Sequence, residues 1–211
     1  GNGPFTPIEP PSGYTSTFAQ SLSADGRTVA GSFYVGGRRH AMTWTQATGA
    51  AFLPRFSPQE FASDAEGVSG DGSRIVGWSR DTEDDGSHAL LWSAGGITEL
   101  VGIYRESIAT GISRDGRFAI GYSYDIANGN GVRWSEAGTA LDLGVVPGWA
   151  DSEPLAINAN GSVIVGEATR GINESQGMMW TEATGAMLLD DHLRLNGIDL
   201  PNGWVTRRVN D

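Results

Sequence analysis

The stretch EGVSGDGSRIVGWS, residues 66–79, places an Asp-Gly pair between two short apolar runs. An Asp-Gly pair between strand-like segments is typical of a β-hairpin turn. The same pattern occurs three more times, as SLSADGRTVAGS from Ser21, GISRDGRFAIGY from Gly111 and AINANGSVIVGE from Ala156. The chain is therefore built from an internal repeat, and its architecture follows from that repeat.

Three sets of residues recur in step along the chain. The turn residues, spaced by 46, 44 and 45 positions, are Asp25, Asp71, Asp115 and Asn160. The glycines that end the apolar run after each turn are Gly31, Gly77, Gly121 and Gly166. A tryptophan follows in every unit, at Trp44, Trp92, Trp134 and Trp180. Repeats of this length are typical of β-propeller blades.

Each unit is predicted to form four short strands. In the second unit these are residues 65–69, 74–79, 88–93 and 97–101, separated by Asp-Gly and Gly-Gly turn signals. The consecutive apolar residues Ile75 and Val76 predict a sheet that is covered on both faces. The sequence therefore predicts an all-β fold, a β-propeller of four-stranded blades with four complete repeats and a divided fifth. A β-solenoid is the rival fold, although its coils are usually shorter and contain fewer hairpin turns.

The repeat also gives the domain organisation. We expect one repeat domain over residues 1–211, with units at approximately 5–50, 51–98, 99–143 and 144–189, and a connector with a partial fifth unit at 190–211. The opening FTPIEP resembles the last strand of a unit, and GWVTRRVND at the end resembles a first strand. We therefore expect the natural chain to continue past Asp211, or a partner chain to supply the missing strand edge.

Each repeated residue type has a structural and a functional interpretation. Because Asn160 replaces aspartate at one turn, the turn residues are predicted to shape the turn rather than to ligate calcium. The repeated tryptophans are predicted to pack between blades, and stacking on sugars is the alternative. The repeated glycines are predicted at places where backbones approach closely.

Composition excludes several function classes. The chain has 25 acidic and 14 basic residues, a net charge of −11 and no cysteine. This charge opposes binding to nucleic acids or anionic lipids unless a basic patch overrides it, and the only basic pairs are Arg38-Arg39 and Arg207-Arg208. No apolar run approaches the roughly 20 residues of a membrane-spanning helix. Neither a disulfide, nor a cysteine-ligated metal, nor a thiol nucleophile is available.

The segments HAMTW at His40–Trp44 and HALLW at His88–Trp92, each after an Asp-Gly turn, resemble the HAF family of bacterial extracellular repeats. The stretch GAMLLDDHLRLNGIDLPNGW resembles the longer connector before the last repeat of such proteins and of some autotransporter passenger regions. The third and fourth units depart from the His-Ala pair, with Asn130-Gly131 and Gln176-Gly177. The resemblance implies an extracellular or cell-surface location in bacteria and carries over no catalytic residue.

The sequence contains few signals of chemistry, and we expect no enzyme. No G-x-S-x-G motif is present, and His192 beside Asp190 and Asp191 lies in the connector. Glu167 is the one candidate catalytic carboxylate, because other units carry Ser32, Trp78 and Tyr122 at its position. No cofactor is implied. The acidic segment with Asp81, Glu83, Asp84 and Asp85 is the candidate calcium site, and a hydrated hairpin tip is the alternative.

Two functions fit these observations. The first is a non-catalytic extracellular or cell-surface binding and adhesion module that contacts a glycan or a surface protein through loops on a rigid ring. In this case, copies of the chain can also associate through open strand edges. The second is a carbohydrate-active hydrolase or lyase on a propeller, with Glu167 among its carboxylates.

Overall fold

The computed structural model describes residues 7–83, 86–126, 129–171, 174–201 and 206. These residues form sixteen strands and one short helix. The strands are β1 (Ser16–Leu22), β2 (Thr28–Val35), β3 (Arg38–Thr45), β4 (Gly49–Phe52), β5 (Ala62–Val68), β6 (Arg74–Arg80), β7 (His88–Ser93), β8 (Gly96–Glu99), β9 (Glu106–Ile112), β10 (Phe118–Tyr124), β11 (Gly129–Ser135), β12 (Ala140–Gly144), β13 (Asp151–Ile157), β14 (Val163–Arg170), β15 (Glu174–Thr181) and β16 (Gly185–Leu188). The helix α1 (Leu189–Leu195) follows the last strand.

The strands form four sheets, each a meander of four consecutive antiparallel strands. We call these sheets blades 1 to 4 in chain order. The first strand of each blade packs on the preceding blade, so that β5 lies against β1–β3, β9 against β5–β7, and β13 against β9–β11. The predicted all-β architecture of four-stranded blades is confirmed. Consecutive antiparallel hairpins also distinguish it from the parallel coils of a solenoid.

Three apolar clusters fill the three interfaces between blades. Ile75 lies in the cluster between blades 1 and 2, whereas its neighbour Val76 lies in the cluster between blades 2 and 3. The consecutive apolar residues therefore face opposite sides of one sheet, because successive side chains of a strand alternate. The repeated tryptophans face the preceding blade. Trp92, Trp134 and Trp180 are only 3%, 0% and 5% exposed, which leaves no ring face for a sugar, while Trp44 on blade 1 is half-buried.

The same hydrogen bonds join each pair of neighbouring blades. A serine hydroxyl on each first strand accepts from a backbone N–H of the preceding blade, in the pairs Ala41–Ser63, Ala89–Ser107 and Gly131–Ser152 at 2.8–3.1 Å. The indole N–H of Trp92 donates to the carbonyl of Pro54, and that of Trp134 donates to Val101, both at 2.9 Å. The serine bonds join strands of neighbouring blades, and the two indole bonds fix blades 2 and 3 to the linkers that precede them.

Every first strand contains a β-bulge at the same repeat position. The registers of β1, β5, β9 and β13 against their partners skip one residue each, namely Gln20, Glu66, Thr110 and Leu155. Next to each bulge, a carbonyl oxygen of the first strand lies 1.9–2.0 Å from where a Cβ of the repeated glycine would stand. The close approach predicted at these glycines therefore occurs within each blade. A bulge re-aims the skipped side chain, and the four skipped residues here line one cavity between the first strands.

The repeated turns are closed by side chains as well as by the backbone. The hydroxyl of Ser69 donates to Asp71 at 2.7 Å, and the same carboxylate oxygen accepts from the backbone N–H of Ser73 at 3.0 Å. Asp25 and Asp115 make equivalent bonds, and the amide oxygen of Asn160 accepts from the N–H of Ser162. Gly72 and its equivalents adopt positive φ, the conformation that favours glycine at such turns.

The chain ends and the strand boundaries of blade 2 differ in part from the prediction. Within residues 7–15 no strand precedes β1. The first strand of blade 2 begins at Ala62 rather than at residue 65, because its pairing with β6 extends to Arg80. Its last strand ends at Glu99 rather than at residue 101. Most of the stretch predicted to open a fifth unit lies outside the described residues. Thr206 accepts from Gly177 N and donates through its backbone N–H to the buried carboxylate of Asp190.

Candidate functional site

The first strands of all four blades surround one central cavity. The cavity has a volume of about 290 Å³, and the bulged residues Gln20, Glu66, Thr110 and Leu155 lie around it. Each blade thus contributes a different side chain at the same position: an amide, a carboxylate, a hydroxyl and an apolar group. The repeated backbone holds a set of individual side chains around this cavity.

Glu66 is the acidic group of this cavity. Its carboxylate accepts from the indole N–H of Trp78 and from the side-chain amide of Gln20, both at 3.3 Å. Burial raises the pKa of Glu66, and the negative charge of nearby Asp64 raises it further. A proton on Glu66 is therefore held more tightly than on a carboxyl group in water.

Asp64 lies beside this cavity and is fully buried between blades 1 and 2. Its Oδ2 pairs with the guanidinium of Arg39, whereas its Oδ1 has no hydrogen-bond partner in the described structure. Burial raises the pKa of Asp64 despite the opposing effect of Arg39. Arg39 is 40% exposed and also lies over the ring of Phe18, with 5.3 Å between its Cζ atom and the ring centre. This ion pair therefore joins a buried carboxylate to a half-exposed guanidinium group.

A second cavity, of about 280 Å³, lies between blades 3 and 4. Its walls include Tyr122 and Tyr124, whose ring centres are 5.6 Å apart, and the acidic residues Asp151 and Glu153. Burial raises the pKa of Tyr122, and the charges of Glu153 and Glu66 add to this effect. Burial and a hydrogen bond with Glu106 raise the pKa of Tyr124 to about 12. Both phenols therefore stay protonated, and the O–H of Tyr124 is already engaged with Glu106.

Glu167, the candidate catalytic residue, lies on β14 directly opposite Glu153 on β13. Directly opposed residues in an antiparallel pair share a face, and their Cβ atoms are about 5 Å apart. The structure therefore pairs two acidic residues that lie 14 positions apart in the sequence. Glu153 was not recognised from the sequence, although its position seven residues before the turn could have identified it.

The other candidate residues are scattered. Asp81 accepts from the hydroxyl of Ser57 at 2.7 Å, Glu83 is exposed, and Asp84 and Asp85 lie outside the described residues. Within the described parts of the chain, no group of three His, Cys, Asp or Glu side chains has the arrangement of a metal site. His88 pairs with Glu99, and Asp190 is separated from the cavity by blade 4 at the start of α1. Calcium binding stays a prediction.

His40 and His192 occupy unrelated environments. His40 lies in a small aromatic pocket beside Tyr14 and Phe52, where burial lowers its pKa and Arg55 lowers it further. The backbone carbonyl of His192 accepts from the side chain of Asn196. The structure therefore does not bring these histidines to the central cavity.

A group of aromatic and basic side chains lies where the start of β3 in blade 1 meets the end of β6 in blade 2. This group was not recognised from the sequence. Arg38 lies over the ring of Phe61 at 3.9 Å, measured from Cζ to the ring centre. Arg80 lies 5.6 Å from the same ring and 5.8 Å from the ring of Trp78. Only the Arg38-Arg39 pair was visible in the sequence, because Phe61 and Arg80 come from the next blade.

Comparisons with known proteins identify the fold and not the family. No protein-family model matches the chain, and no curated protein matches it. No helix in the described structure is both long enough and apolar enough to span a membrane.

The similarities are to solved structures. TolB from Acinetobacter baumannii is 14% identical, with a TM-score of 0.59 over 82% of this chain and 43% of that one. A TolB-like protein from Agrobacterium tumefaciens is 17% identical, with a TM-score of 0.59 over 80% and 62%. A puromycin hydrolase mutant complexed with PGG is 16% identical, with a TM-score of 0.56 over 93% and 30%. The chain spans less than two thirds of each of these structures. At such identity the likeness establishes a β-propeller fold alone.

Proposed function

We propose that this protein is a non-catalytic binding module of the bacterial cell surface or extracellular space, with a glycan as its ligand. The observation that carries the proposal is the central cavity, where a repeated frame presents a different side chain from every blade. Binding residues are commonly placed on a rigid scaffold in this way. The resemblance to HAF repeats supports the location.

The chemistry of the two cavities suits a hydroxylated ligand. Tyr122 and Tyr124 provide ring faces in one cavity, and Glu66 and Gln20 provide an acceptor and a donor in the other. Trp78 lies next to the central cavity through its hydrogen bond to Glu66. Apolar walls with a few convergent polar groups are typical of ligand pockets. A sugar ring has the matching composition, since its C–H faces stack on aromatic rings and its hydroxyls exchange hydrogen bonds with carboxylates and amides.

The test is co-sedimentation of the purified chain with a panel of insoluble polysaccharides. We expect retention on at least one polymer, and at least tenfold weaker retention of the double variant Trp78→Ala, Tyr122→Ala. Phe52→Ala, which removes an exposed ring from the outer strand of blade 1, is the matched control and should bind normally. Equal retention of all three proteins, or retention of none, would contradict the proposal.

A carbohydrate-active enzyme is the second candidate, and the opposition of Glu153 and Glu167 favours it. Retaining glycosidases use two carboxyl groups about 5–5.5 Å apart. Newly released reducing ends, measured in the same co-sedimentation assay, decide between the two functions. Release that disappears in both Glu167→Gln and Glu153→Gln would establish the enzyme, whereas retention without release supports the binding module.

Self-association through blade 1 is part of the proposed adhesive role, with a second copy of the chain as the partner. The buried hydroxyl of Thr17 has no partner among the described residues, although the equivalent serines of blades 2 to 4 bind a neighbouring blade. Phe18 and Leu22 on β1 are 41% and 60% exposed. Sedimentation velocity should show concentration-dependent dimers that Leu22→Asp abolishes, and a monomer at all concentrations would contradict this role.

A further inference from the structure

Basic and aromatic side chains alternate in a row where the start of β3 in blade 1 meets the end of β6 in blade 2. The row runs from Arg38 through Phe61 and Arg80 to Trp78, with the distances of 3.9, 5.6 and 5.8 Å given above. Arg38 lies just after the turn between β2 and β3, whereas Arg80 ends β6. The backbone N–H of Phe61 donates to the carbonyl of Arg80 at 2.8 Å, which fixes these two side chains next to each other.

The charges of this row are not balanced within the described parts of the chain. Arg39 next to it pairs with Asp64, but neither Arg38 nor Arg80 forms an ion pair there. The buried Nε atom of Arg80 has no hydrogen-bond partner. The guanidinium group of Arg80 also lacks an anionic partner among the described residues, so a carboxylate placed beside it would be stabilised by a charge-assisted hydrogen bond. In a chain of net charge −11, two arginines that lie over one ring and form no ion pair among the described residues are a local exception.

The row is continuous with the proposed glycan site. Trp78, at one end of the row, donates its indole N–H to Glu66 in the central cavity. A ligand that stacks on Trp78 can therefore extend outward over Arg80 and Phe61. Planar guanidinium groups bind carboxylates, as they do phosphates, through two parallel hydrogen bonds.

We propose that the row Arg38–Phe61–Arg80–Trp78 binds a glycan that carries carboxylate groups, that is, a polymer with uronate units. The inference rests on the proposed glycan-binding function and names its ligand class. The rings of Phe61 and Trp78 stack on sugar units, while Arg38 and Arg80 pair with their carboxylates.

The experiment measures binding of the full chain to soluble oligogalacturonate by isothermal titration calorimetry, at 50 and 300 mM NaCl, with uncharged dextran and dextran sulfate as comparison ligands. We expect oligogalacturonate to bind at low salt, to bind several-fold more weakly at high salt, and dextran not to bind. Salt screens ion pairs of this exposed kind. The double variant Arg38→Gln, Arg80→Gln should bind at least tenfold more weakly.

Two further variants separate the site from general effects of charge. Arg117→Gln removes an exposed arginine that lies over Phe118 at 5.9 Å, and it should bind like the parent. The variant Arg38→Lys, Arg80→Lys keeps the charge but not the planar fork, so its binding should fall between the parent and the glutamine variant. Circular dichroism and the melting temperature verify that each variant is folded.

The outcomes distinguish this inference from the proposed function. Unchanged binding of the glutamine variant would overturn the inference, as would equal binding of dextran sulfate and oligogalacturonate. If neutral polysaccharides are retained in the co-sedimentation assay while oligogalacturonate does not bind, the inference fails and the proposed function stands. If no polysaccharide of either kind binds, both fail.

Discussion

The carbonyl oxygen of Asp64 lies 2.0 Å from the position that a Cβ atom at residue 77 would occupy. Even the smallest side chain at Gly77 must therefore displace the backbone of the neighbouring strand. The bulge at Glu66 creates this approach, so the glycine and the inward-pointing carboxylate depend on each other.

Replacing Gly77 by alanine should accordingly unfold or severely destabilise blade 2. We expect a loss of more than about 3 kcal/mol in the free energy of unfolding, because the clash is with backbone rather than with a flexible side chain. Urea denaturation followed by tryptophan fluorescence measures the loss. Gly95→Ala is the control, since a Cβ there meets only the Ser93 hydroxyl at 3.6 Å. Similar stability of the two variants would contradict the prediction.

The repeated tryptophans allow a comparison within one chain. Trp134 is fully buried between blades 2 and 3, whereas Trp44 occupies the same repeat position on the free face of blade 1. We expect Trp134→Ala to cost about 3–5 kcal/mol and Trp44→Ala less than half as much, because less surface is buried at Trp44. Thermal and urea unfolding of both variants test the ratio, and equal losses would show that the face of Trp44 is covered in solution.

The carboxylate of Asp71 should make the turn sensitive to acid. Hydrogen bonds from Ser69 and Ser73 lower its pKa from 3.8 to about 2. A lowered pKa in the folded state stabilises the protein above pH 4, and this contribution is lost as the pH falls toward 2. Asp71→Ala should cost about 1 kcal/mol at pH 7, typical of lost hydrogen bonds.

Asp71→Asn reproduces the side chain found at Asn160 and serves as the matched variant. It keeps an oxygen acceptor but cannot be protonated, so its stability relative to the parent should improve between pH 5 and pH 2. Urea midpoints at these two pH values measure the difference. A difference that does not change with pH would show that the carboxylate charge has no role in the turn.

The Arg39–Asp64 pair should show the opposite dependence on pH. Burial raises the pKa of Asp64 above its unfolded value, so this group reduces stability as the pH rises from about 4 through the folded-state pKa. Arg39→Gln leaves the buried carboxylate without its cation and raises that pKa further. We expect a loss of about 2 kcal/mol at pH 7, less than for a fully buried pair, and a smaller loss at pH 4.

Arg27→Gln is the control for this pH series. Arg27 approaches Asp25 at 4.0 Å on the surface, and exposed pairs of this kind contribute little to stability. The control should therefore match the parent at both pH values. A loss in Arg39→Gln that is equal at pH 7 and pH 4 would contradict the assigned charge state of Asp64.

The repeated features were predictable because they depend on local chemistry. A turn is determined within six residues by Asp71, Gly72 and the serines around them. The consecutive apolar residues Ile75 and Val76 indicate that both faces of the strand are covered. The tryptophan position follows from its spacing alone. Each of these patterns depends only on residues within one unit, and the same patterns occur in every unit.

The candidate site was much less predictable. The bulged residues Gln20, Glu66, Thr110 and Leu155 share no side-chain type, so no sequence pattern marks a bulge there. Glu153 and Glu167 are paired by strand register, which shifts at the neighbouring bulge. Arg80 joins Arg38 only through Phe61, across a blade interface, and residues from different blades are not related by sequence spacing.

The hydrogen bonds between turns have a consequence for how such a chain can evolve. Gly70 accepts from Ala24 and donates to Arg114, and Asp115 in turn donates to Ala159, so each turn is joined to the next by one backbone bond of 2.9–3.2 Å. These bonds, like the serine bonds between blades, use backbone groups and small hydroxyls that every unit possesses. Duplication of a unit therefore adds both the donors and the acceptors that the new interface between blades requires. The number of blades can then change by whole units, while the few side chains around the central cavity diverge independently.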